Sequence, residues 1–150
     1  MAKRGMSANE QMDRLAKQFD DHVREIMENQ IAEKIIETGV KSVQREVYDV
    51  YEPRFYRRLG ERSSTKGLKH EWKSSYQDGK LVVENVRKDR KTNKWIAPKV
   101  ELGKGYSYQK PRRFIQATRQ SLKDSNILTD ILIEELLKRG IKTSGKVKIL

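Results

Sequence analysis

The chain has 150 residues, of which 35% are hydrophobic and 36% charged, where globular domains average roughly 45–50% and about 25%. Lys and Arg number 33 against 21 Asp and Glu, a formal charge of +12, and there is no cysteine. These figures exclude disulfides, thiolate metal ligands and cysteine nucleophiles, and the two histidines, His22 and His70, are too few for a His-rich metal site.

This length suits one domain, residues 1–150, with a core too lean to be comfortable alone. Burial against partner subunits is therefore expected. The basic surface favours a polyanion or an acidic protein patch. The N-terminus lacks the apolar run of a signal peptide, and no stretch approaches the ~20 apolar residues of a membrane span. The expected setting is the cytosol or a particle assembled there, with no membrane contact.

Residues 1–6 read as a loose basic leader. Ser7-Ala8-Asn9-Glu10 has the spacing of a capping box, so a helix is predicted to start here. Apolar residues then recur in steps of mostly three or four: Met12, Leu15, Phe19, Val23, Ile26, Met27, Ile31, Ile35, Ile36, Val40, Val43 and Val47. That is one helical face running to about residue 50. Gly39 is a candidate kink or split, since glycine inside a helix costs about 1 kcal/mol against alanine. A helix this long implies either a packed pair or one that projects toward a neighbour.

Pro53 ends the pattern by disfavouring the α region at the residue before it. A long basic loop is predicted over 52–67. Next, Asp78-Gly79 favours a type I′ turn between extended runs, giving a hairpin over 68–88. A two-residue turn sets Tyr76 opposite Leu81, Lys73 opposite Glu84 and Trp72 opposite Asn85, with Trp72, Tyr76, Leu81 and Val83 on one face.

Residues 87–94 form a polar, basic loop, after which Trp95 and Ile96 are expected to re-enter the core. Pro98 and Gly103 frame a short helix. A helix follows Pro111, with Phe114, Ile115, Thr118 and Leu122 on one face. Another spans about 126–139, closed by Gly140. The tail alternates at Lys146-Val147-Lys148-Ile149-Leu150 and is predicted to be an edge strand. The fold class is thus α+β: a long N-terminal helix or helix pair, a central antiparallel sheet and two C-terminal helices.

Candidate chemistry is sparse. Glu71-Trp72-Lys73 matches a nuclease Glu-x-Lys triplet, but a three-residue match arises readily by chance. Glu46, Asp49 and Glu52 have helical spacing and read as a solvated stripe rather than a cation site. No metal, no cofactor and no catalytic residue is expected, and the chain is not expected to be an enzyme. The most informative stretch interleaves Tyr48, Tyr51, Phe55 and Tyr56 with Arg54, Arg57, Arg58 and Arg62. Tyrosine and arginine are enriched at interface hot spots and also suit nucleic-acid contacts.

Three segments together resemble a known family. Tyr48-Asp49-Val50-Tyr51-Glu52-Pro53-Arg54-Phe55-Tyr56-Arg57-Arg58, followed by Gly67-Leu68, is similar to a tyrosine, proline and double-arginine stretch of small structural proteins from tailed bacteriophages. Val100-Glu101-Leu102-Gly103 and Pro111-Arg112-Arg113-Phe114-Ile115 resemble two further motifs of the same group. Lys66 stands where that group often has a second glycine, and Arg113 separates the proline from Phe114. The group is the neck and tail-completion (head–tail joining) proteins, and the likeness covers about residues 40–122. It implies an α+β fold and a homo-oligomeric ring at the head–tail junction of a virion assembled in the host cytoplasm. Sixfold order is expected, with twelvefold the alternative. The implied partners are further copies of the chain, adjacent head-connector and tail proteins, and genomic DNA in passage. The eight tyrosine, phenylalanine and arginine residues named above would be the interface. The rival reading is a basic nucleic-acid-binding module.

Overall fold

The computed structural model describes residues 5–50, 63–104 and 110–150. The fold is α+β: a long N-terminal helical rod, a two-stranded antiparallel sheet and a C-terminal helical pair. The rod starts as predicted. Ser7 accepts from the Glu10 N–H, and the Glu10 carboxylate accepts in return from the Ser7 N–H at 2.7 Å. Helix α1 (Ala8–Ile26) continues through a π-helical turn at Met27–Ile31 into α2 (Ala32–Val43), and a second π turn closes the rod at Gln44–Tyr48.

Those turns follow from the sequence. Val23, Met27, Ile31 and Ile35 are spaced by four, as are Gly39, Val43 and Val47. Steps of four overshoot an α-helical turn of 3.6 residues, so the apolar stripe would drift round the rod. A wider i→i+5 turn absorbs the extra residue and keeps the stripe on the body. Gly39, by contrast, does not split the rod: α2 runs on through it as one α-helical segment in its hydrogen bonding. It is buried, and an added Cβ would lie 2.7 and 2.8 Å from Trp72 Cη2 and Cζ2. The glycine makes room for the indole.

Strands β1 (Trp72–Gln77) and β2 (Lys80–Asn85) pair in the predicted register, with Trp72 opposite Asn85, Lys73 opposite Glu84 and Tyr76 opposite Leu81. Asp78 and Gly79 have φ of 50° and 72°, as a type I′ turn requires. The strands are shorter than the 68–88 expected, because Gly67 (φ 108°) and Leu68 belong to a turn and not to the ladder.

Helices α3 (Ile96–Leu102), α4 (Phe114–Ser125) and α5 (Ile127–Lys138) complete the body. Gly140, at φ 78°, closes α5, and the Ile141 N–H reaches back to the Leu136 carbonyl. Two sequence expectations fail. Trp95 does not re-enter the core: it is 43% exposed beneath the Lys88 ammonium, 4.7 Å from its ring, and Ala97 is buried instead. A short second hairpin, with the Ile96 N–H on the Arg87 carbonyl, turns the indole outward. Nor is the tail an edge strand. Val147 and Ile149 do face inward, but onto helices: the Val147 N–H donates to Thr129 Oγ1 at 3.1 Å, and both side chains pack on the first core. Alternation gave the correct face, while the surface it meets is α5 and not a strand.

The core has two centres. Ile26, Ile31, Leu122, Leu128, Leu132 and Leu136 make one. Val43, Val47, Tyr48, Leu68, Ala97 and Phe114 make the other, with Trp72 set edge-on to Phe114 at 6.2 Å.

Candidate assembly interface

The second core centre is where distant parts of the sequence meet. Tyr48 ends the rod, Leu68 precedes the hairpin, Ala97 comes from α3 and Phe114 opens α4. Gln44 Nε2 donates to Asp49 Oδ1 at 2.6 Å, and the Lys69 ammonium donates to Gln44 Oε1 at 3.1 Å, tying the end of the rod to the segment before the hairpin. Buried Asn85 donates to the Leu68 carbonyl at 2.6 Å. The two residues that bracket the tyrosine and arginine segment, Tyr48 and Leu68, therefore sit in one apolar cluster.

The Val100–Gly103 and Pro111–Ile115 motifs form a single unit. Helix α4 begins at Phe114 behind Arg113, whose side chain does not cap it. The cap comes from α3 instead: Glu101 accepts from the Ile115 N–H at 2.9 Å and from the Gln116 N–H at 3.0 Å. A carboxylate there satisfies two of the four free N–H groups and complements the helix dipole. The Arg112 N–H donates to the Val100 carbonyl at 3.0 Å. Gly103 has φ 68°, and any Cβ would collide with the backbone of Lys110 and Pro111. The glutamate and glycine of one motif are thus there to seat the other.

Of the predicted interface residues, Tyr48 is 7% exposed and packs in the core. Tyr51, Arg54, Phe55, Tyr56, Arg57, Arg58 and Arg62 lie outside the described residues, as does Glu52. The Glu71 carboxylate is occupied structurally. It accepts from the Gly67 N–H at 2.6 Å and from Arg87 Nη1 at 3.1 Å, so it holds the loop before β1. Among the described residues no three His, Asp or Glu side chains converge as metal ligands, and no helix is long and apolar enough to cross a membrane.

Two exposed features were not singled out by sequence reasoning. One is the hairpin over residues 87–96. Asp89 accepts from the N–H of Thr92 (2.8 Å) and of Lys91 (2.9 Å), and these bonds hold its carboxyl below the usual carboxylate range. Exposed Lys88, Arg90, Lys91 and Lys94 gather around that turn beside Trp95. The other is the first half of α1, where Met12, Leu15 and Phe19 are 67%, 61% and 41% exposed. Helical periodicity placed them on one face, but nothing in periodicity tells a covered face from a bare one.

An α+β body built on a long helical rod, with sequence-distant motifs locked into one core, is the class the structure defines. The chain belongs to the YomN family, whose model matches residues 11–138. It is 30% identical over 117 residues to the SPbeta prophage-derived uncharacterized protein YomN of Bacillus subtilis strain 168, a match spanning 73% of this chain and 78% of the relative. The relationship indicates a phage origin. No solved structure matches. The family shown is YomN and not the neck and tail-completion group, so a place at the neck rests on the motifs alone.

Proposed function

We propose that the protein is a structural component of a tailed-phage virion, forming a homo-oligomeric ring at the neck that joins the DNA-filled head to the tail. The observation that carries this reading is that the described start of the first neck-like segment, at Tyr48, packs with the other two. Tyr48, Val100 and Phe114 pack around one centre, and Glu101 and Gly103 fasten the second motif to the third. The phage-derived relative and the charge of +12 support it, the latter suiting a channel that DNA crosses.

In this reading the work is assembly, without bond chemistry, catalytic residue, metal or cofactor. Subunits would join head to tail, sixfold or twelvefold, with contacts that close by rotation. Arg54, Arg57, Arg58 and Arg62 would make charge-assisted contacts to the next copy or to adjacent head-connector and tail proteins, and Tyr51, Phe55 and Tyr56 would anchor them. The double variant Arg57→Ala, Arg58→Ala should give a normally folded protein, full heads and separate tails, with infectious yield reduced at least about tenfold. Normal yield from that variant refutes the assignment.

The basic hairpin favours a second reading, a nucleic-acid-binding module. Four exposed cations beside an exposed indole suit phosphate contacts and base stacking. That reading requires the isolated chain to bind DNA with an affinity that falls steeply as salt rises.

A further inference from the structure

The N-terminal half of α1 leaves the body as a bare rod. Every residue from Gly5 to Asp21 is exposed, and the first to be buried is Ile26. Met12, Leu15 and Phe19 nevertheless continue, without a break in spacing, the stripe that packs on the body at Val23 and Ile26. The steps from Ala8 through Met12, Leu15, Phe19, His22 and Ile26 alternate four and three, the spacing of a coiled-coil seam. Preserving such a seam beyond the body has no use for the isolated chain, since each large apolar side chain left in water forgoes its burial energy.

The borders of the seam identify what covers it. Along Met12, Leu15 and Phe19 it is flanked by Asn9, Gln11, Ala16 and Gln18, all uncharged, while Glu10, Asp13, Arg14, Lys17, Asp20, Asp21 and Arg24 lie farther round the helix; Glu25, which flanks its body end, pairs with Arg139 at 3.3 Å. A partner of defined charge would be met by opposite charges along the rim. Two identical helices instead need a rim that does not repel itself, and amides provide one. Helix α1 also carries five acidic against three basic residues on a chain of net charge +12, which disfavours a polyanion on this face. We infer that the Met12–Leu15–Phe19 seam pairs with the same seam of a second copy of this chain.

The seam offers on the order of 300 Å² of apolar side chain per copy, short of the roughly 800 Å² per partner of a standard stable interface. The pairing is therefore weak when free, and being twofold it is distinct from the head-to-tail contact of the proposed ring. It is a contact separate from the arginine-rich segment, and it stands whether or not the assembly is a virion neck.

The absence of cysteine provides the test. Leu15→Cys lies in the middle of the seam, where parallel and antiparallel pairs both bring the residue near its own copy, and Lys17→Cys lies on the opposite face. Mild oxidation of the full chain should convert Leu15→Cys to a disulfide dimer at least about tenfold faster than Lys17→Cys. By sedimentation velocity, the double variant Leu15→Glu, Phe19→Glu should need at least about tenfold more protein to associate, with a little-changed melting midpoint, because both side chains are exposed. Raising the salt should leave the wild-type pairing intact, since no charge borders Met12, Leu15 or Phe19. Equal oxidation of the two cysteine variants overturns the inference, as does unchanged sedimentation of the glutamate variant. If the glutamates unfold the protein, the cysteine pair alone decides. Failure of Arg57→Ala, Arg58→Ala particles to join would leave the oxidation result untouched, so the two proposals fail separately.

Discussion

Replacing Gly39 with alanine sets two effects of opposite sign against each other. Alanine is the better helix former by about 1 kcal/mol, so propensity alone predicts a more stable α2. The structure predicts the reverse. The new methyl would lie 2.7, 2.8 and 3.2 Å from three indole carbons of Trp72, where carbon pairs rest at about 3.5–4.0 Å. The indole cannot simply swing aside. Its Nε1–H donates to the Lys69 carbonyl at 3.1 Å, and its ring meets Phe114 edge-on. Overpacking of this kind costs about 1–3 kcal/mol, leaving a net loss of about 0–2 kcal/mol after the propensity gain. Urea unfolding of Gly39→Ala, Trp72→Phe and the double variant would measure it. A phenyl ring lacks the atoms that clash, so in the Trp72→Phe background the alanine should be neutral or stabilising, a coupling of about 1–2 kcal/mol. A Gly39→Ala protein more stable than the wild type, or a coupling near zero, would refute the packing argument and leave Gly39 as a plain weak point in the helix.

Other perturbations address the unit that brings the motifs together. Glu101→Ala strips both N–H groups of α4 of their acceptor and should cost about 1–2 kcal/mol in denaturant unfolding, with Glu101→Gln losing less. Asn85→Leu keeps the bulk but leaves the Leu68 carbonyl without its buried donor, for a loss of about 1–3 kcal/mol. Asp89 gives a pH signature. Because its folded-state pKa is depressed, the turn's added stability is present above the ordinary carboxylate range and is lost as pH falls through the lowered value. The Lys91 and Thr92 amide resonances should therefore titrate with a midpoint below an ordinary aspartate's, and a midpoint at or above that value contradicts the hydrogen bonds described.

Local chemistry was legible wherever one or two residues decide the backbone. Ser7 with Glu10 fixed the start of the rod, Asp78-Gly79 fixed the hairpin and its register, and Gly140 fixed the end of α5. What depends on a distant surface was not. Gly39 reads as a helix breaker until Trp72, 33 positions later, is seen against it. Trp95 and the tail were each given the wrong neighbour, because apolar character says that a residue seeks cover without saying which surface supplies it. The same blindness hid the bare seam of α1, whose periodicity is identical on both sides of the point where the rod leaves the body. Of the candidate interface, the sequence showed composition, and the structure added how its ends are anchored, at Tyr48 and Leu68.

Cryo-electron microscopy of purified phage particles carrying a tagged copy of this chain tests the neck assignment most directly. The tag should appear as a closed ring of density between head and tail, six or twelve copies in each particle. Particles that are complete and infectious yet hold no copy of the chain, or hold it anywhere but that junction, would contradict it.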